Sequence, residues 1–416
     1  MERVVITGMG MISPLGQDAG SFWDRLVQGR SGIGRIEAFD TSAYKSRIAG
    51  MVKGFDGEGR FGRKEARKMD RFCQFALAAA EEALEQSGLL RQELNKERTG
   101  VYVGSGIGGI QTLLEQSRTL LERGPGRVSP TLVPMMISNM AAAAISMRWD
   151  LQGPTLSPVT ACSIGNTAIG EAFRAIRYGA ADVILAGGAE AAVTEISMAS
   201  FGNAAAISMR NDEPERASRP FDAGRDGFVM GEGAGILVLE SLTHARRRGA
   251  EILAEVTGYG ASSDAYHMVA THPEGRGAAL AMQAALAEAG AVPEDVNVIS
   301  AHATSTELGD RSEALAIRRV FGESTGRIPV TANKSMTGHM LGAAGGAEAI
   351  ALVQSLRQGI IPPTINQEQP DPECGLDVVA NKARKAELRL GMSNSFGFGG
   401  HNAVILLKKW EDEEDF

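Results

Sequence analysis

The chain has 416 residues, 44% hydrophobic and 22% charged, which is the make-up of a globular protein with room for two or three average domains or one large two-part unit. A net charge of −8 argues against nucleic acid as a partner, and three widely spaced cysteines argue against a disulfide framework or a zinc site. No apolar run is long enough to span a bilayer and the sequence opens directly on a strand pattern, so the expected setting is a reducing cytoplasm with no membrane partner.

Val4-Val5-Ile6-Thr7-Gly8-Met9-Gly10 reads as a buried strand ending in a glycine turn. A helix follows from about Asp18 to Val27, and Gly29 to Gly62 reads as a long loop. A helix opens near Gly62 and continues through Phe72, Phe75, Ala79 and Leu84, with Cys73 inside it as a small core residue. Gly100 to Gly104, Asp182 to Ala186 and Gly235 to Glu240 are the next strands, and Ser241 to Gly249 a basic helix and hinge. From residue 251 the pattern starts again. Glu255 to Gly260 echoes Val5 to Gly10, Val298 to His302 takes the place of the second strand, Ile328 to Ala332 the third, and Asn402 to Leu407 the fourth. Helical patterns near Gly277 to Ala289, Gly309 to Val320 and Gly342 to Leu356 separate them. Strands alternating with helices imply βαβ units with buried, largely parallel sheets. The expected architecture is therefore a duplicated α/β unit, divided into residues 1–250 and 251–416, with an acidic, frayed tail over Trp410 to Phe416.

The chemistry gathers in a few stretches. Pro158-Val159-Thr160-Ala161-Cys162-Ser163-Ile164-Gly165-Asn166 leads into a small-residue helix, which places Cys162 where a tight turn feeds a helix start. Free N–H groups and the positive dipole end there favour a thiolate, although a cysteine so placed is about as often an inert core residue. His302, His339 and His401 lie in glycine-rich stretches after strands, where open α/β sheets place ligand crevices. His244, His267 and His272 read as hydrogen-bonded structural residues. Neither His-Glu-x-x-His nor Cys-x-x-Cys occurs, so no metal site is expected. A papain-type arrangement fits poorly, and Gly104-Ser105-Gly106-Ile107-Gly108-Gly109 does not give the dinucleotide spacing.

Four blocks together resemble a known family: Thr160-Ala161-Cys162, His302-Ala303-Thr304-Ser305-Thr306, Lys334-Ser335-Met336-Thr337-Gly338-His339, and Asn394-Ser395-Phe396-Gly397-Phe398-Gly399-Gly400. From Val4 to about Lys409 the chain resembles the β-ketoacyl-acyl carrier protein synthases of the thiolase-like condensing enzymes, and within them the synthase II group. The resemblance implies a duplicated, five-layered αβαβα fold in a homodimer, with acyl carrier protein as partner and no cofactor. It implies that Cys162 takes the acyl chain, that the N–H groups of Cys162 and Phe398 form an oxyanion hole, and that His302 and His339 act on the malonyl thioester. Lys334 resembles a supporting lysine with Glu348 as its partner, and Phe398 a gate. Thr304 and Thr306 resemble the hydroxyls that bind the phosphopantetheine arm. Ile107, Leu132, Phe201 and Leu341 resemble walls of the acyl tunnel, though any core shows apolar walls. Lys64, Arg67, Lys68, Arg127 and Arg210 resemble a basic surface that docks the acidic carrier, though solvated helix faces look the same.

Several positions depart from that pattern. Ala303 stands where glycine is frequent, His401 where threonine is frequent, and Leu132 where a phenylalanine is familiar. Ser300 stands where asparagine is frequent, which bears on the monovalent cation site of some relatives, for which Glu348, Ser393 and Asn394 are present. Rival expectations are a polyketide-type ketosynthase and a non-catalytic chain-length partner. The latter lacks the nucleophile. A thiolase would need a second catalytic cysteine, which the surroundings of Cys374 do not suggest. No acyltransferase or carrier domain follows, which favours the free-standing fatty acid enzyme.

Overall fold

A computed structural model of the protein describes residues 1–91 and 93–411. Its centre is an eleven-stranded sheet. In chain order the strands are β1 Val4–Ile12, β2 Thr99–Gly104, β3 Thr155–Leu156, β4 Val183–Glu190, β5 Gly233–Ser241, β6 Ala254–Ser263, β7 Val298–Ser300, β8 Pro329–Thr331, β9 Asp377–Val378, β10 Leu390–Gly397 and β11 His401–Lys409. They lie side by side as β9-β8-β7-β10-β11-β6-β1-β5-β4-β2-β3. Outward from the β1–β6 junction both halves repeat one order, β1-β5-β4-β2-β3 and β6-β11-β10-β7-β8, with β9 added to the second.

Six helices complete the layers: α1 Arg71–Ser87, α2 Met140–Trp149, α3 Ile164–Arg177, α4 Arg276–Ala289, α5 Glu307–Phe321 and α6 Ala344–Gln358. Helices α1 and α2 cover one outer face, α4 and α5 the other, and α3 and α6 lie between the two halves of the sheet. The result is the five-layered αβαβα arrangement. Strand residues alternate between layers as the pleat requires. Ile236 and Val238 pack outward with Phe72 and Phe75, while Leu237 and Leu239 pack inward with Ile169, Phe173 and Ile350. In the second half Val404 and Leu406 face the α4 side with Met282, and Ile405 and Leu407 join the shared middle core. Both faces of the central strands are buried, which is why they read as continuous apolar runs.

Glycines let the layers close. A Cβ on Gly10 would lie 1.8 Å from the Ala79 carbonyl oxygen, and one on Gly260 would lie 2.0 Å from that of Ala281. The Thr-Gly-x-Gly echo between the two rounds is therefore one packing device used twice, against α1 and α4.

Several expectations need correction. The sheet is mixed rather than largely parallel: β2, β3 and β4 are mutually parallel, as are β7, β8, β9 and β10, but β1, β5, β6 and β11 pair antiparallel. Only Phe398–Gly400 joins β10 to β11, too short a link for a crossover, so that pair must be antiparallel. Secondly, the counterpart of β4 is β10, whereas β8, which contains Pro329–Thr331, matches the short β3. Thirdly, the stretch from 29 to 62 is not bare loop. Ile33–Arg35 pairs with Ile48–Gly50, and a short helix spans Gly57–Phe61. The helix expected to open at Gly62 is broken into Arg63–Ala66 and α1, which the Asp70 carboxylate caps. Trp410 is half-buried beneath the Arg3 and Arg246 guanidinium groups, and residues 412–416 of the expected frayed tail lie outside the described residues.

Candidate active site

Cys162 lies in the turn Ala161–Ser163 that opens α3. Ala161 has φ +52°, a left-handed conformation that costs a non-glycine residue about 1–2 kcal/mol. The surroundings hold it there. The Ser163 hydroxyl donates to the Thr160 carbonyl at 2.7 Å, and Thr160 and Thr167 share a hydroxyl–hydroxyl bond of 2.9 Å. The end of β10 lies flush against the turn: a Cβ on Gly397 would sit 2.6 Å from the Thr160 carbonyl oxygen and 3.0 Å from the Cys162 nitrogen. Glycine at 397 thus lets the backbone N–H of Phe398 reach the Cys162 sulfur, beside Cys162's own N–H.

The thiol is buried, and burial pushes its pKa up to about 12. The Lys334 charge and the two N–H groups pull the other way, and Glu190 adds to the rise. This corrects the expectation of a resting thiolate: loss of solvent outweighs the helix start, and the group rests as a thiol.

His302 lies two residues past the end of β7, and His339 follows the short helix Lys334–Thr337 beyond β8. Their rings stand 5.4 Å apart at 90°. Burial holds both well below the ordinary histidine value, and Lys334 pushes in the same direction. Both are therefore neutral at pH 7. Each Nδ1 is buried without a hydrogen-bond partner, so Nε2 is the nitrogen left to face the cavity. Lys334 is almost fully buried and pairs with Glu348. Burial raises Glu348 to about 7, against the pull of the Lys334 charge.

Cys162, His302, His339, Thr304, Thr306, Leu341 and Phe398 line one cavity of about 450 Å³, with Phe228, Phe396 and Arg225. The Thr304 and Thr306 hydroxyls are 3.2 Å apart. Phe398 is partly exposed, its ring 6.3 Å from that of Phe201, which in turn meets Phe228 edge-on at 5.4 Å. Phe201 packs in the same apolar cluster as Cys162 and Leu341. Ile107 and Leu132 do not line this cavity within the single chain, and Leu132 is half-buried at the start of Leu132–Met136. Lys64, Arg67, Lys68 and Arg127 are exposed, and Arg210 is half-buried. Arg67 and Lys68 pair with Glu58 and Glu65, and Arg210 with Glu213. His244 bonds Glu240 at 2.6 Å, and the Nδ1 atoms of His267 and His272 accept backbone N–H groups, as structural histidines do. His401 is exposed at the start of β11.

The chain matches the model of the β-ketoacyl synthase N-terminal domain over residues 1–245 and that of the C-terminal domain over 253–368. The chain belongs to the β-ketoacyl synthase family. It is similar to β-ketoacyl synthases named 3-oxoacyl-[acyl-carrier-protein] synthase 2. That of Vibrio cholerae is 51% identical, covering 98% of this chain and 99% of the relative. Those of Staphylococcus aureus strain COL and Synechocystis are 49% and 48% identical, covering 99% of each chain. Among solved structures, a β-ketoacyl synthase from Burkholderia phymatum superimposes with a TM-score of 0.92 at 38% identity, over 99% of this chain and 100% of that one. A type II polyketide ketosynthase, solved with its acyl-carrier protein and a bound hexaketide, gives 0.90 at 35%, with the same coverage.

Two buried acids escaped the sequence reading. Glu313 accepts the N–H groups of His302 at 2.9 Å and Ala303 at 2.7 Å, and the Asn394 side-chain amide at 2.9 Å. It fixes the histidine's backbone from behind. The available signal was an acid on the buried stripe of α5, with Asp310, Ala314 and Ile317. Arg225 holds the carbonyls of Thr306 at 3.2 Å and Glu307 at 3.0 Å, and pairs with Asp310 and Asp371. The second overlooked acid is Glu190.

Buried oxygens without a hydrogen-bond partner gather on the segments that meet at the Lys334–Glu348 pair: Asn166 Oδ1, Ser300 Oγ, Asn333 Oδ1, Glu348 Oε2, Asn394 Oδ1 and Ser395 Oγ. Hard oxygens of this kind suit an alkali cation or water, and Ser300 contributes one.

Proposed function

We propose that the protein is a condensing enzyme of fatty acid elongation, a β-ketoacyl-[acyl-carrier-protein] synthase of type II. The observation that carries this reading is the convergence of one thiol and two neutral imidazoles on a single cavity, with the charge of the buried, paired Lys334 acting on all three, in a chain that shares nearly its whole length with synthase 2 relatives. The Cys162 sulfur attacks the thioester carbonyl of an acyl carrier protein. The bond to the pantetheine sulfur breaks, and that thiol leaves with a proton. The N–H groups of Cys162 and Phe398 stabilise the oxyanion that develops between these events. Malonyl-carrier then enters. Nε2–H groups of His302 and His339 donate to its thioester oxygen while carbon dioxide departs and the electron pair becomes an enolate. The enolate carbon attacks the acyl-Cys162 carbonyl, the carbon–sulfur bond breaks, and 3-oxoacyl-carrier forms as the departing Cys162 thiolate takes up a proton from water. This work needs donors rather than bases, and neutral rings are donors. The Lys334–Glu348 pair holds a positive charge beneath the developing anions, and Thr304 and Thr306 bind the pantetheine arm. A cation on Ser300, Asn394 and Glu348 would add fixed charge behind the same floor.

The division of labour follows the two halves, residues 1–250 carrying the nucleophile and 251–416 the histidines. A homodimer is supported by the exposed end of the sheet at β3, where Leu156 and Val159 are exposed, and by exposed Leu113, Leu121 and Val133 elsewhere in the same half. In such a dimer Leu132 would reach the partner's acyl tunnel, whose near wall is Ile107, Phe201 and Leu341. Sedimentation at micromolar concentration should give twice the chain mass, and a monomer would remove that part. Three free cysteines fit a reducing cytoplasm, and no helix among the described residues is long and apolar enough to cross a membrane.

The test separates the half-reactions. Cys162→Ala abolishes condensation and keeps malonyl decarboxylation, whereas His302→Ala and His339→Ala each slow decarboxylation by roughly 10²-fold or more. Decarboxylation at the parent rate in His339→Ala would show the roles to be misassigned. In the same assay, reversing Lys64 and Lys68 to Glu should raise KM for carrier-bound substrate and not for a small thioester, less so as salt rises. Equal loss on both substrates would show that these side chains do not dock the carrier.

A further inference from the structure

Glu190 ends β4 and is fully buried, yet its partners are all neutral donors. One carboxylate oxygen accepts the Ser105 hydroxyl at 2.8 Å and the Ile107 N–H at 3.2 Å. The other accepts the Gly106 N–H at 2.9 Å and the Gly342 N–H at 3.1 Å. Its acceptor sites are filled from two separate turns, one after β2 and one that opens α6. Glycine is needed on both sides of the clamp, since a Cβ on Gly106 or Gly342 would lie 2.9 or 3.0 Å from the same oxygen. The second turn carries Leu341, which lines the cavity with Cys162. Leu341 is held at φ +48°, and the clamped N–H belongs to the next residue.

We propose that Glu190 is the positioning residue that sets where Leu341 stands in the cavity beside Cys162, and so the room for an acyl chain, by tying the Leu341 turn to the turn after β2 through one carboxylate. This rests on the condensing-enzyme reading above. An ordinary structural acid would need only to keep the fold. A clamp that holds one wall of the cavity decides how well a long chain fits, because a misfit of one methylene already discriminates about 10-fold or more. The clamp also leaves a negative group near the thiol, which adds to the rise in its pKa.

Glu190→Gln is the test. The amide keeps one acceptor oxygen and turns an NH2 towards N–H donors, so one side of the clamp opens. Acylation of Cys162 is measured against carrier thioesters of graded length, alongside malonyl decarboxylation and the pH dependence of iodoacetamide labelling. In Glu190→Gln the long-chain kcat/KM falls about tenfold relative to a short primer, decarboxylation stays within about twofold, and the labelling midpoint moves to lower pH. Should the variant fail to fold, Ser105→Ala, which removes one donor and leaves the acid, shifts the length profile the same way by less. An unchanged length profile in a folded variant, or a uniform loss across lengths with an unmoved labelling midpoint, overturns the proposal. A parent enzyme that never carries an acyl group on Cys162 would instead defeat the reading on which it rests.

Discussion

The ammonium of Lys334 acts on Cys162, His302 and His339 together. It disfavours a proton on either imidazole and favours proton loss at the thiol, while Glu348 keeps it from being an isolated buried charge. The sign for pH follows. Both imidazoles have folded values below the unfolded one, so they stay neutral as pH falls through the unfolded value. Decarboxylation by Cys162→Ala should therefore run flat from pH 8 down to about pH 6, below the ordinary histidine value of about 6.5. A decline centred near 6.5 would mean that an ordinary imidazole carries the step. The three blocks holding Cys162, His302 and His339 were legible because reactive side chains sat in unusual glycine-rich runs. The thiol's resting state was not, because a sequence shows a helix start and does not show how much solvent is lost.

Strand β10 and the three-residue turn after it show what an element contributes beyond its side chains. Leu390-Gly391-Met392-Ser393-Asn394-Ser395-Phe396-Gly397 carries three consecutive polar residues and reads as a motif, so its role as a buried strand was invisible. Its serines and asparagine are buried among other polar groups around Glu313 and Asn166, not turned to solvent. The helices were easier, since α4, α5 and α6 show apolar stripes at helical spacing. The two-residue β3 carries no pattern that periodicity could detect, and the match of β8 to β4 failed for that reason. Gly397→Ala tests the element. The added methyl would meet the Thr160 carbonyl oxygen and the Cys162 nitrogen, moving Phe398 N–H away from the sulfur. Acyl transfer should fall by roughly 10²-fold, the scale of one lost oxyanion donor, with decarboxylation largely kept. Acyl transfer within twofold of the parent would show that the close approach is not needed.

At the scale of the molecule, duplication has been put to unequal use. The turns Ala161–Ser163 and Leu341–Ala343 open the two middle helices, α3 and α6, and both begin with a left-handed residue. Cys162 occupies the centre of the first and Gly342 the centre of the second, so one half supplies a nucleophile where the other supplies a wall. The second half in turn places His302 and His339 after its strands. The two rounds of strands and helices were legible in the sequence, and this asymmetry followed only from the register of the turns. The central claim is that acyl groups pass through Cys162. Peptide mass spectrometry after incubation with an acyl-carrier thioester measures it most directly. The account requires the acyl mass on the peptide containing Cys162, absent in Cys162→Ala and discharged when malonyl-carrier is added. An acyl group on Cys73 or Cys374 instead, or condensation without any acyl-Cys162, would contradict it.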